Sequence, residues 1–169
     1  MNSHQCGVAA ESFTATMFAW AGYDVSVQYG ANQPEYDLVI VKGDKMLKIS
    51  VKGSNVGRWV LTASLKKDET ISYADAIDTW RSKHSTKTVF SLVQFKNADM
   101  SNAEMPRIYL ATVDEIAREL NLIRNGTGYT ALYENNTYKS GTYKGLCDKV
   151  PDEWIFSKER VNYLIDLFN

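Results

Sequence analysis

The sequence predicts a single α/β domain built on a mixed β-sheet flanked by helices, and three observations carry that expectation. The stretch Tyr36–Gly53 reads as two short strands joined at Gly43-Asp44. Amphipathic helical segments then alternate with further apolar strands along the chain, the pattern of an α/β fold. Finally, 169 residues with 44% hydrophobic content suffice for one core, and no linker-like shift in composition divides them.

Taken in order, about Ser3 to Ala21 reads as a helix. Val8, Phe13, Met17, Phe18 and Trp20 supply its apolar bulk, Ser3 is its expected N-cap, and Gly22 ends it. Glu11 lies on this helix near Gly7, Val8, Ala10 and Ala15, small enough neighbours for another segment to approach closely. Tyr23–Tyr29 alternates as a strand with Tyr23, Val25, Val27 and Tyr29 on one side. Gly30 to Pro34 reads as a loop offering Asn32 and Gln33 as polar contacts. Asp37–Val41 is almost continuously apolar, as in a strand buried on both faces. Its partner alternates: Leu47, Ile49 and Val51 face one way, and Lys48, Ser50 and Lys52 the other.

A turn is expected at Gly53–Gly57, then a strand over Arg58–Ser64 and a helix over Ser72–Lys83. Thr88–Phe95 and Arg107–Thr112 read as two more strands. Thr112-Val-Asp-Glu115 is a capping box that opens a helix to about Ile123. Tyr129–Glu134 suits a short strand. Thr-Tyr-Lys occurs twice, at 137–139 and 142–144, in a polar, Gly-flanked segment that is not a structural repeat. Ser157 caps a closing helix with the apolar stripe Val161, Leu164, Ile165 and Phe168.

Net charge is −1, which excludes a strongly basic, nucleic-acid-coating protein. The average hides a local excess: Lys42, Lys45, Lys48, Lys52, Arg58, Lys66 and Lys67 face Asp44 alone, seven cations minus one anion, or +6. Such a patch steers phosphates, although edge lysines also block strand pairing. Two cysteines, Cys6 and Cys147, form neither a disulfide framework nor a metal knuckle. His4 and His84 lack the company of other ligand-type residues in sequence. Without a signal peptide or long apolar run, the chain reads as cytoplasmic, with no membrane partner.

Asp37 stands before four apolar residues, and Lys52 at the far end of the partner strand. Charges at the mouth of a buried hairpin are costly unless they meet each other or a metal. An acidic residue opening a strand, a spacer, then x-x-Lys on an apolar strand resembles the PD-(D/E)XK nuclease signature of the restriction-endonuclease-like superfamily. The matching positions are Pro34 (displaced by Glu35 and Tyr36), Asp37, Ser50 and Lys52. Glu11 resembles the helix-borne glutamate of Holliday-junction resolvases in that superfamily. The likeness covers residues 7–65, and 125–169 would be a C-terminal extension. Where the family usually carries Asp, Glu or Gln, this chain has Ser50.

The resemblance implies a restriction-endonuclease-like fold and metal-dependent hydrolysis of phosphodiester bonds in DNA. Glu11, Asp37, Ser50 and Lys52 would form the catalytic set, with Mg²⁺ or Mn²⁺ held by Asp37, the Val51 carbonyl and Glu11. Lys52 would orient or deprotonate the attacking water, or stabilise developing negative charge. Glu11 is the first candidate for the charge that Ser50 does not supply, and Glu35 the second. Lys48, Arg58, Lys66, Lys139 and Lys144 are the expected nucleic-acid contacts, with Tyr138 and Tyr143 suited to stacking. Two other readings stay open. One is an inactive nuclease fold that binds nucleic acid or a protein, favoured by Ser50 and by acidic Asp114, Glu115 and Glu119. The other is an unrelated α/β module in which Asp37 and Lys52 form a structural ion pair. Substrate form and oligomeric state, a homodimer included, are left undetermined.

Overall fold

The computed structural model describes residues 1–28, 35–99, 101 and 104–169. Its centre is a five-stranded mixed sheet in the order β1-β2-β3-β5-β6. The strands are β1 (Asp24–Val27), β2 (Leu38–Lys42), β3 (Lys45–Ser54), β5 (Thr88–Gln94) and β6 (Arg107–Thr112), with β4 (Arg58–Val60) in a smaller sheet. The pair β3–β5 is parallel and the other three pairs are antiparallel. A parallel pair needs a crossover, and α2 (Tyr73–Ser82) lies within that connection. β5 is buried along its whole length, as a central strand covered on both faces must be.

Helices cover both faces. On one, α1 (Ser3–Trp20) and α4 (Lys158–Phe168) lay Ala10, Phe18, Val161 and Leu164 on Leu38, Ile40, Leu47, Ile49 and Val51. On the other, α2 and α3 (Val113–Gly126) bring Ile77, Trp80, Ile116 and Leu120 against Phe90, Leu92 and Ala111. The parallel register pairs Ser50 with Phe90 and Lys52 with Leu92, so Lys48, Ser50 and Lys52 belong to this second face. β4 pairs with β7 (Ala131–Tyr133), and β8 (Asn135–Thr137) with β9 (Cys147–Lys149).

Several boundaries differ from the sequence reading. Asn2, not Ser3, caps α1: its side chain accepts from the Gln5 N–H while Gln5 returns a bond to Asn2, so Ser3 is already helical. β2 is not buried on both faces. Val39 and Val41 are only half-buried, because the second core gathers over β5 and β6 and stops short of β2. β3 runs on through Gly53 to Ser54, where a turn was expected, and β4 ends at Val60 instead of Ser64. The β8–β9 hairpin went unforeseen, because its strands are three residues long and polar. Tyr29, Asn32, Gln33 and Pro34 lie outside the described residues.

Gly53 explains how closely α1 approaches the sheet. A Cβ there would stand 2.8 Å from the Cys6 carbonyl oxygen, 2.9 Å from its sulfur and 3.0 Å from the Ala10 Cβ. The small residues around Glu11 therefore accommodate β3 itself. A buried bond of 2.9 Å between the Thr14 and Ser91 hydroxyls ties the same helix to β5.

Candidate active site

Asp37 is fixed by its backbone and its side chain together. Its N–H donates to the Ile49 carbonyl and its carbonyl accepts from the Gln28 N–H, both at 2.8 Å. Its carboxylate accepts the Val51 N–H at 2.6 Å. The acidic group therefore lies against β3 at the peptide joining Ser50 to Val51, one residue from Lys52. A carboxylate that takes a strand N–H in place of a main-chain carbonyl is held without rotamer freedom at the end of the β2–β3 ladder.

Glu11 reaches this place from α1. Its carboxyl is pushed above the usual carboxylate range, first by burial and next by the negative charge of Asp37, while Lys52 and His4 pull it back. Two carboxylates from separate elements thus feel one another, and the Lys52 cation acts on Glu11 in the opposite sense. Lys52 is exposed and forms no ion pair among the described residues. The structural ion pair of Asp37 with Lys52, one of the open readings, is not among the ion pairs of the described residues, and the contact that Asp37 makes is with the Val51 N–H. Ser50 is 2% exposed and sits beside Phe90 beneath the site.

Sequence reasoning missed His84. Its Nδ1 stands 3.2 Å from the Glu35 carboxylate, which also accepts the Ser85 N–H at 2.8 Å. The imidazole packs on Trp80 and Phe90. Burial lowers its pKa; Glu35 acts against that shift, and Lys52 reinforces it. Glu35, expected as a second carboxylate beside Asp37, is therefore engaged with His84. A histidine 49 residues away in sequence gives no local signal of that contact.

The cations do not line one groove as expected. Lys42 lies over the Tyr23 ring and Lys45 pairs with Asp166 of α4 at 2.9 Å, so both belong to the α1/α4 side. Lys48 lies over Tyr36 and shares the face of Lys52. Lys52 and Arg58 line one cleft of about 550 Å³, together with Ser3, Gly7 and Gly53. Lys66 lies over Tyr73, which contacts Tyr129. Lys139 and Lys144 are exposed in the β8–β9 connection. The acidic residues of α3 are mostly committed to structure. Asp114 pairs with Arg81, and Glu115 accepts both the Thr112 N–H and the buried Arg160 guanidinium.

Among the described residues, no three His, Cys, Asp or Glu side chains stand close enough to form a ready-made metal cluster. No known family model, curated protein or solved structure matches this chain. The site must be read from its own chemistry. Two carboxylates, one raised in pKa first by burial and next by the other's charge, form a donor pair whose charge a divalent cation would offset. One or two carboxylates suit Mg²⁺, which keeps several of its waters.

Proposed function

We propose that this chain is a metal-dependent endonuclease of the PD-(D/E)XK type that hydrolyses phosphodiester bonds in DNA. The observation that carries the reading is Asp37, locked onto β3 through the Val51 N–H beside Lys52 and sensed by Glu11. Asp37 and Glu11 would hold Mg²⁺ or Mn²⁺, with the Val51 carbonyl as the third protein ligand. When bound, such an ion polarises a phosphoryl oxygen and makes hydroxide accessible at neutral pH.

The remaining work falls to side chains. Lys52, exposed and without an ion pair among the described residues, would place its ammonium against a scissile phosphate and orient the attacking water. The anchored Asp37 sets the position of that water relative to β3. Lys48 on the same face and Arg58 across the cleft supply phosphate contacts that hold the strand in register. Lys66, Lys139 and Lys144 extend those contacts away from the site.

Ser50 favours a second reading, a catalytically inactive nuclease fold that binds nucleic acid. It puts a neutral hydroxyl, buried beside Phe90, where a third acidic ligand would stand. A cleavage assay with Mn²⁺ on linear, branched and single-stranded DNA separates the two. Cleavage lost in Lys52→Ala supports the enzyme. Binding without cleavage of any substrate supports the inactive form.

A further inference from the structure

On the far side of Arg58 lies a second array that shares only Arg58 with the catalytic reading. Arg58 pairs in register with Tyr133 across β4 and β7. Tyr133 lies parallel to Tyr129 within 9°, at 6.1 Å between centroids, and meets Tyr138 edge-on at 6.3 Å. Tyr138 in turn contacts Tyr143 at 5.8 Å. The guanidinium of Arg124 stands 3.7 Å above the Tyr129 ring, 5.3 Å from Tyr143 and 5.7 Å from Tyr138.

Arg124 is delivered there by an unusual backbone. Ile123 leaves the helix, and Arg124 and Asn125 both take left-handed conformations with φ of 57° and 56°. Asparagine tolerates this conformation, whereas for arginine it is strained. Asp148 offsets part of this by accepting the Arg124 N–H at 3.2 Å, and its charge also takes the Tyr138 hydroxyl at 2.8 Å. The Arg124 Nε helps hold the hairpin to α3 by donating to the Tyr138 hydroxyl at 3.4 Å, whereas Nη1 and Nη2 find no hydrogen-bond partner among the described residues.

We infer that Arg58, Arg124, Tyr129, Tyr133, Tyr138 and Tyr143 form a binding track for unpaired nucleotides, adjoining the candidate catalytic cleft. Half-buried tyrosine rings and an arginine plane stack on any base, while the free guanidinium N–H groups meet the phosphates between bases. Exposed Lys139 and Lys144 flank the two loop tyrosines and add to the phosphate attraction. The nearby acids have partners: Asp148 is bonded as above, Glu134 pairs with Arg107 and Tyr109, and Glu119, beside Tyr133 and Asp148, pairs with Arg118. Stacked duplex bases cannot use such rings, so the substrate class is DNA with a single-stranded arm or gap beside the cleavage point. This rests on the nucleic-acid reading of the catalytic cleft, but not on its catalytic competence.

The test is fluorescence anisotropy in EDTA with a labelled oligothymidylate, a blunt duplex and a duplex with one single-stranded arm. Wild type should bind the single strand and the armed duplex more tightly than the blunt one. Arg124→Ala and Tyr143→Leu should each weaken single-strand binding about tenfold, the loss of roughly one stacking contact, and blunt-duplex binding less than twofold. Tyr143 lies at the hairpin tip, so its variant keeps the test decisive should Arg124→Ala fail to fold. Unchanged single-strand affinity in Tyr143→Leu, or a wild type that prefers blunt duplex, overturns the track. Mn²⁺ cleavage is measured in parallel. Cleavage by wild type with unaltered variant affinities rejects the track alone. Tenfold losses without any cleavage reject the nuclease alone.

Discussion

Asp37 has one observed role, accepting the Val51 N–H, and one proposed, holding a metal, and substitution can separate them. Asp37→Asn keeps an oxygen for the Val51 N–H and removes the charge, so it should fold normally and lose metal-dependent cleavage. Asp37→Ala strands that N–H and should cost about 1–3 kcal/mol, read as a drop in denaturant midpoint. Glu11 behaves differently. Its pKa is raised in the fold, so the native state binds the proton more tightly than the unfolded chain does. Stability attributable to this group therefore falls as pH rises from the unfolded carboxylate range through the folded value. Glu11→Gln should melt higher than wild type at pH 7, with the difference vanishing below about pH 4, while cleavage is lost. A variant that melts no higher at pH 7 would show that neither burial nor Asp37 disfavours the Glu11 charge. Ser50→Glu has opposed effects. It should tighten Mn²⁺ binding as measured by calorimetry, yet it forces a carboxylate into a site 2% exposed beside Phe90 and should lower the melting temperature.

At the scale of elements, the distance from Glu11 to Asp37 depends on how α1 seats on β3, and Gly53 sets that seat. Gly53→Ala would push against the Cys6 backbone and Ala10, displacing the helix. The expected cost is about 1–3 kcal/mol, with Mn²⁺ affinity falling alongside stability. A variant with wild-type metal affinity would uncouple the helix from the site. Arg160 holds α4 to the far face through the Leu110 carbonyl at 3.0 Å and Glu115 at 2.6 Å. Arg160→Ala leaves Glu115 part-buried with one partner fewer. It should cost about 3 kcal/mol or more in chemical denaturation without changing cleavage by the folded fraction.

Much of this was legible in the sequence. Strict alternation in β3 set Lys48, Ser50 and Lys52 on one face, an amphipathic pattern located α2, and a capping box located α3. The small residues around Glu11 announced a close approach, though not that Gly53 would fill it. His84 and Arg124 were hidden for physical reasons. The His84–Glu35 contact depends on a tertiary approach across 49 positions, and the Arg124 array on a left-handed backbone that no residue-type pattern encodes. The cation count misled because sequence proximity in a hairpin says nothing of which face or end each lysine serves. Lys45 pairs with the C-terminal helix 121 residues away.

For the whole molecule, no helix among the described residues is long and apolar enough to cross a membrane. Net charge is −1, so the proposed binding to DNA rests on local placement of cations. The double variant Lys139→Glu/Lys144→Glu should lower DNA affinity and flatten its salt dependence by about two counterions, measured by anisotropy across a salt series. An unchanged slope removes the β8–β9 hairpin from the interface.

The central claim is that Asp37 anchors a divalent-metal site and not a structural contact alone. Mn²⁺ titration calorimetry on wild type and Asp37→Asn, with melting temperatures for both, tests it most directly. The account predicts Mn²⁺ binding in wild type, its loss in Asp37→Asn, and melting temperatures within about 2 °C of each other without metal. No Mn²⁺ binding by wild type, together with a large fall in the melting temperature of Asp37→Asn, would contradict it.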